Sequence, residues 1–557
     1  MEKRVILAVV LCVGILFGWT KLFPPPAPQP QSTAETKAKA APSTANTLPS
    51  VPQAPGPVAG PAAAGVAGVP IVYAEELTTL ETPTQHFVFS NRGASLRQAK
   101  LREEKYLQKK GDPNSGLDLI RGQDAAQAEL RIAFPESGFA TPADTAWQRV
   151  DTGSAQEVVY RASTATARIE KRFRVDNARY RIHLDVTVEN LSAAPLDHHF
   201  ALQVFGHQDP GATGGFLSGS TGNTASILCH VDDKTERVPV EKIQKESFEK
   251  IGGVSWVASD EKFFVVAAVP YPENPPRERK CGGKSVDAQT AQGQLSFAER
   301  QIAPGAKTQY AVAIFVGPKV ISDLEDVRPG GKDVKLTEAC DVSLAIISRP
   351  MLSLLKLFHG FVGNWGIAII LLTVFIKLLT FYPTQRSLLS AKKMQKLGPK
   401  MAAIRKKYEN DKQRQSTETM SLYKAHGVSP FGGCLPSLIQ MPIWIALYST
   451  LNYAVELFRS PFFLHIHDLT AKDPYYVTPL LMGGVMFIQM KMSPTSPDNQ
   501  QQATMAIMMP VMFTAFSLVL PAGLAVYMLT SYLIGILQQL LVNYLDRRAH
   551  GAAPTAS

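Results

Sequence analysis

The chain predicts a multi-domain membrane protein: an N-terminal anchor helix, an antiparallel β-sandwich outside the cytoplasm, and a C-terminal bundle of five spanning α-helices interrupted by a basic helical hairpin. Three observations predict it. Residues 341–545 hold several apolar runs close to the ~20 residues that a bilayer requires. Residues 71–340 alternate apolar and polar side chains in short stretches separated by turn residues. Lys and Arg gather in residues 384–430, where eleven of them face only Glu409, Asp411 and Glu418, a formal +8. Such an excess in a short loop between spans marks the cytoplasmic side. The net charge of +10 therefore lies largely at a membrane surface, which argues against a specific nucleic acid partner.

At the N-terminus, Glu2-Lys3-Arg4 precedes the apolar residues 5–23, and Pro24-Pro25-Pro26 follows without a small-x-small cleavage site. Residues 1–23 read as an uncleaved anchor that starts in the cytoplasm. Residues 24–70, rich in Pro and Ala, cannot bury enough apolar surface to offset their ordering entropy, so they read as an extended tether.

In residues 71–340, segments 166–175 and 180–190 alternate with period two, and 263–270 and 310–316 are further β-type runs. The histidines there (His183, His198, His199, His207) do not assemble into an acid–base pair, so the domain reads as a binding or structural module. Cys229, Cys281 and Cys340 allow one disulfide in an oxidising compartment, with the pairing open. No spacing suggests a metal site or a cofactor.

The bundle opens with residues 341–362, an amphipathic interfacial helix with Arg349, Lys356 and His359 spaced through it. The first bundle span, 363–383, starts at the interfacial Trp365 and is expected to end at Pro383. It contains Lys377, about 18 Å beyond Trp365 at ~1.5 Å per residue. A cation at mid-bilayer costs ~2.5–3.5 kcal/mol. Either it snorkels to the headgroups, or it faces a hydrated cavity, a reading that Thr373, one turn earlier on the same face, supports. The hairpin 384–430, with Lys392, Lys393, Lys396, Arg405, Lys406 and Lys407, offers a docking surface for an incoming chain, a ribosome or anionic lipid. Span 431–457 opens with Gly432-Gly433-Cys434 and carries Gln440. An outer loop (458–474), span 475–491, an inner loop (492–502), spans 503–520 and 521–545, and a short inner tail (546–557) complete the path. His465, His467 and Asp468 are too few for a metal centre. Met482, Met486, Met505, Met508 and Met509 suit a surface that adapts to many apolar clients.

The sequences GNWG (363–366), YKAHGVSPFGGCLPSLIQMPIWIALY (423–448), IHDLTAKDPYY (466–476), KMSPT (491–495) and PAGL (521–524), with a cation eleven positions after Gly366, resemble the YidC insertase family in its Gram-negative form. The resemblance implies a periplasmic β-supersandwich and a five-helix core around a polar groove open to cytoplasm and lipid. Lys377, Thr373, Gln440 and Tyr527 match its groove positions. It further implies an inner-membrane protein with both termini cytoplasmic, which inserts and helps fold nascent membrane proteins, alone or with the Sec translocon and a transiently bound ribosome. That work needs the phospholipid bilayer but no cofactor and no catalytic residue. Three departures stand out: Lys377 where the best-known members have arginine, Met528 where an aromatic often follows the tyrosine, and a short, nearly neutral tail. A small-molecule transporter and a membrane-anchored carbohydrate enzyme are the competing readings. The first predicts internal repeats, which the five spans lack.

Overall fold

The structure is a computed structural model describing residues 74–551 except 110, 113–114, 123, 140–145, 177–178, 212–223, 341–344, 428–434 and 493–499. The expected anchor and tether, and the Gly432-Gly433-Cys434 opening, lie outside the described residues.

Residues 74–340 form the expected β-rich domain. A nine-stranded antiparallel sheet runs from Lys234–Pro239 at one edge to Gln148–Val150 at the other, and a five-stranded sheet runs from Phe248–Gly252 to Ile132–Ala133. Their inner faces bury one continuous core that includes Trp256, Phe173, Phe200 and Tyr310. A three-stranded sheet, Leu77–Glu81, Gln85–Ser90 and Ser95–Leu101, joins it, with Phe89 lying 4.6 Å from the Phe173 ring. The period-two pattern is realised as expected. Ala167, Ile169, Phe173 and Val175 point inward from one strand, and Ile182, Leu184, Val186 and Val188 from the next. Lys171 falls on the buried phase of this pattern. Its ammonium donates to the carbonyls of Ala94 and Leu130 and lies 5.0 Å from the Phe173 ring, and desolvation drives its pKa well below the usual lysine value. Cys229 and Cys281 pair, joining the nine-stranded sheet to the five-stranded one, and Cys340 is free.

The helices follow. α1 (Ala345–Val362) packs on α2 (Trp365–Leu379), burying Met351 and Leu355. Its inner face is thus part of the bundle core, not only an interfacial float. α2 is N-capped by Asn364, whose side chain accepts from the Ile367 amide. The expected stop at Pro383 is corrected: the break comes at Thr380, and the chain bends by 62° into α3 (Phe381–Lys396). Pro383 then sits in the first turn of α3, where its missing N–H costs nothing. At the bend, Thr380 Oγ1 caps the Ile376 carbonyl at 2.9 Å, and Gln538 Nε2 donates to the Phe381 carbonyl at 3.3 Å.

α4 (Gly398–Lys407) and α5 (Lys412–Ala425) form the charged hairpin. Gly398-Pro399 starts α4, and Asp411 caps α5 by accepting from the Arg414 amide. The two helices lie antiparallel, as Tyr423 Oη to Met401 Sδ (3.2 Å) and Gln415 Nε2 to the Arg405 carbonyl (3.3 Å) show. Of the expected docking set, Lys392, Lys393 and Lys396 lie on α3, and Arg405, Lys406 and Lys407 lie on α4, the last three all exposed.

α6 (Leu435–Tyr453), α7 (Val477–Met492), α8 (Gln500–Ser517) and α9 (Ala522–Gly551) complete the bundle. α9 is central and touches α2, α3, α6 and α7. α7 and α8 meet closely at Gly483, where any Cβ would meet Thr514 Oγ1. Among the described residues, Ala522–Leu545 is long and apolar enough to cross a bilayer as it stands, and the bent pair α2–α3 passes the same test together. Val477–Met492 and Ile507–Ser517 are apolar but shorter.

Candidate functional site

The expected groove residues lie on three helices, α2, α6 and α9. α9 packs against both α2 and α6. Lys377 is half-buried in the last turn of α2, just before the bend. Among the described residues no carboxylate forms an ion pair with it. An unpaired ammonium inside an apolar bundle is stable only with access to water or to an anionic guest.

Thr373 lies on the same face but is fully buried, and its hydroxyl donates to the Ile369 carbonyl at 2.7 Å. It does not offer that proton to a cavity, because back-bonding within the helix satisfies it first. Gln440 of α6 and Tyr527 of α9 meet directly: Gln440 Nε2 donates to Tyr527 Oη, and Tyr527 is buried. The polar pair tied across the bundle is therefore Gln440–Tyr527, with no contact to Thr373 required.

Two further polar groups escaped the sequence reading. Ser531 and Gln538 are buried in α9. With Tyr527 they stand at i, i+4 and i+11, which returns to one helical face. That spacing was available in the sequence but is masked by the apolar residues between them. Gln539, on a neighbouring face, donates to the Met492 carbonyl at the end of α7.

The methionines divide. Met482 and Met486 are buried, Met482 completely and within the bundle core, so they are not a client surface. They lie on the face of α7 that packs inward against neighbouring helices. Met508 is 51% exposed and Met509 partly so. The Met505 side chain lies outside the described residues.

In the β domain the histidines have local partners. His183 contacts Tyr271 Oη (3.1 Å) and Asp176 (3.0 Å), His198 contacts Tyr310 Oη (2.8 Å), and His207 contacts Thr290 Oγ1 (3.1 Å). His198 is fully buried, and burial lowers its pKa to about 4. Among the described residues no group of three or more His, Cys, Asp and Glu side chains could hold a metal ion.

Comparison with known proteins places this architecture. The family model described as "60Kd inner membrane protein" matches residues 357–549, and the one described as "YidC periplasmic domain" matches residues 77–354. The chain is 35% identical to the membrane protein insertase YidC of Syntrophus aciditrophicus, over 98% of this chain and 99% of that protein. It is 34% identical to that of an Anaeromyxobacter species, over 97% and 96% respectively. A crystal structure of an active YidC insertase aligns with 85% of this chain and 93% of its own, at 20% identity and a TM-score of 0.37. Matched along nearly its whole length, the chain belongs to the YidC family of inner-membrane proteins with a periplasmic domain.

Proposed function

We propose that this chain is a membrane protein insertase that receives nascent membrane proteins in a hydrated groove beside Lys377 and releases their apolar segments into lipid. The observation that carries the reading is the end-to-end likeness to proteins named membrane protein insertase, which favours insertion over small-molecule transport. The unpaired Lys377 ammonium supplies the chemistry.

A client must carry a short polar, often acidic, segment across an apolar slab. A groove partway through shortens that slab. At 4 Å, attraction between unit charges rises from ~1 kcal/mol in water to ~4 kcal/mol at an effective dielectric of 20. Lys377 thus holds an acidic segment transiently, while the client's apolar helix leaves past α7 and α8. The Gln440–Tyr527 bridge ties α6 to α9 and limits how far the groove opens. No covalent step is involved.

The same reading takes the N-terminal anchor and five bundle spans as crossing the inner membrane, with both termini and the α4–α5 hairpin cytoplasmic and the β domain periplasmic. The hairpin's exposed Arg405, Lys406 and Lys407 dock a ribosome or the anionic lipid surface, and the Sec translocon is a second partner.

The test is insertion of a single-span client with an acidic tail into liposomes containing only this protein, scored by protease protection. Lys377→Arg should insert like the parent. Lys377→Glu should lose most insertion of the acidic client. Equal insertion by the two variants removes the electrostatic role.

A further inference from the structure

The outer loop between α6 and α7 carries an apolar knob that the insertion mechanism does not use. Pro461-Phe462-Phe463-Leu464 has no charged residue. Phe463 is 53% exposed and Leu464 is 91% exposed.

The knob is built rather than loose. Phe462 lies against Gly366 at the start of α2, where any Cβ would meet its ring. Asn364 Nδ2 donates to the Phe462 carbonyl at 3.4 Å, and the Phe462 amide donates to the Ile466 carbonyl at 3.0 Å. His465, the next residue, is held by Asp473 at 3.2 Å. Leu464 itself has φ +55°, an unfavourable conformation for a leucine, which displays its side chain outward. Strain spent on exposing a leucine points to an apolar partner.

The surroundings say which partner. The His465 ring lies 5.8 Å from the Tyr475 ring, and Tyr475 is exposed at the start of α7. From there the exposed apolar surface continues down α7 through Val477, Leu480 and Leu481. Through Asn364 the knob also adjoins the end of α1, where Phe361 is 78% exposed. An apolar tip flanked by Tyr475, continuous with an apolar helix face, has the composition of an interfacial belt. We propose that Phe463 and Leu464 form a fixed wedge seated in the outer leaflet of the bilayer, anchoring the outer ends of α2 and α7. The proposal rests on α7 being a span, so the test checks the two separately.

The experiment uses the full chain in liposomes, with the free cysteines replaced and single nitroxide labels introduced at Leu464→Cys, Leu480→Cys and Lys472→Cys. Oxygen partitions into lipid and a neutral nickel chelate into water. At position 464 the ratio of oxygen to chelate collision should exceed that at the exposed position 472 by severalfold, approaching the value at 480. A ratio at 464 equal to that at 472, with 480 still lipid-like, overturns the wedge and leaves the span intact. Low collision with both reagents at 464 also overturns it, because protein rather than lipid then covers the knob. A water-like value at 480 overturns the span on which the proposal rests.

Discussion

A hydrogen bond between a buried side chain and a half-buried one is most informative when one partner is removed. Gln440 and Tyr527 tie α6 to α9. Tyr527→Phe leaves the amide without its acceptor and should cost about 1 kcal/mol, whereas Gln440→Leu combined with Tyr527→Phe should recover much of that loss. Thermal unfolding of the parent and the two variants in detergent checks it. Lys377 itself was legible from sequence as an expensive residue, and the structure adds that no carboxylate among the described residues pairs with it. A threonine inside a helix can satisfy its own hydroxyl, as Thr373 does, and no spacing rule reveals it. In the β domain, His198 carries a pH prediction. Its folded pKa lies near 4, below the ordinary 6.5, so between these values the unfolded chain binds the proton that the folded chain refuses. Stability should therefore fall as pH drops from 6.5 towards 4, by up to ~3 kcal/mol from this group. His198→Gln should flatten that slope in denaturant titrations followed by tryptophan fluorescence.

Among elements, the disulfide and the α2–α3 bend matter most. Cys229 and Cys281 lie 52 residues apart in sequence, on strands of different sheets. Closing a loop of that size is worth ~2–5 kcal/mol. Replacing both with alanine should lower the unfolding temperature of the β domain, and reductant should do the same to the parent but not to the variant. The sequence offered three cysteines and could not choose among them, because the pairing depends on which strands the two sheets bring together. Nor does the sequence show that α2 ends at Thr380 and not at Pro383. A proline ends a helix only where its neighbours need the hydrogen bond, and at the third position of a new helix they do not. Strand alternation, by contrast, was readable, since period two translates directly into burial.

At the scale of the whole molecule, the β domain and the bundle are joined by more than the chain at residues 340–345. Phe458, just after α6, sits 5.1 Å from the Phe263 ring, 5.4 Å from Phe264 and 6.0 Å from Tyr106. Arg459 Nη1 donates to the Leu107 carbonyl at 3.2 Å, and Lys105 Nζ donates to the Val455 carbonyl. The β domain thus grips the outer end of the helix that carries Gln440. Such aromatic contacts contribute ~0.5–1.5 kcal/mol each beyond area burial. Phe458→Ala should broaden the distance distribution between spin labels placed on the β domain and on the α4–α5 hairpin, while leaving the unfolding temperature of the β domain nearly unchanged.

By itself the sequence determined the β-rich character of residues 74–340 and the apolar, helical character of the part that follows. These depend on composition and local period, which neighbours along the chain settle between them. Only the tertiary structure decided which cysteines pair, where α2 breaks, which methionines face inward, and that Gln440 answers Tyr527 across 87 residues of sequence. Each of these is a meeting of segments far apart in the chain, so its energy exists only once the fold has brought them together.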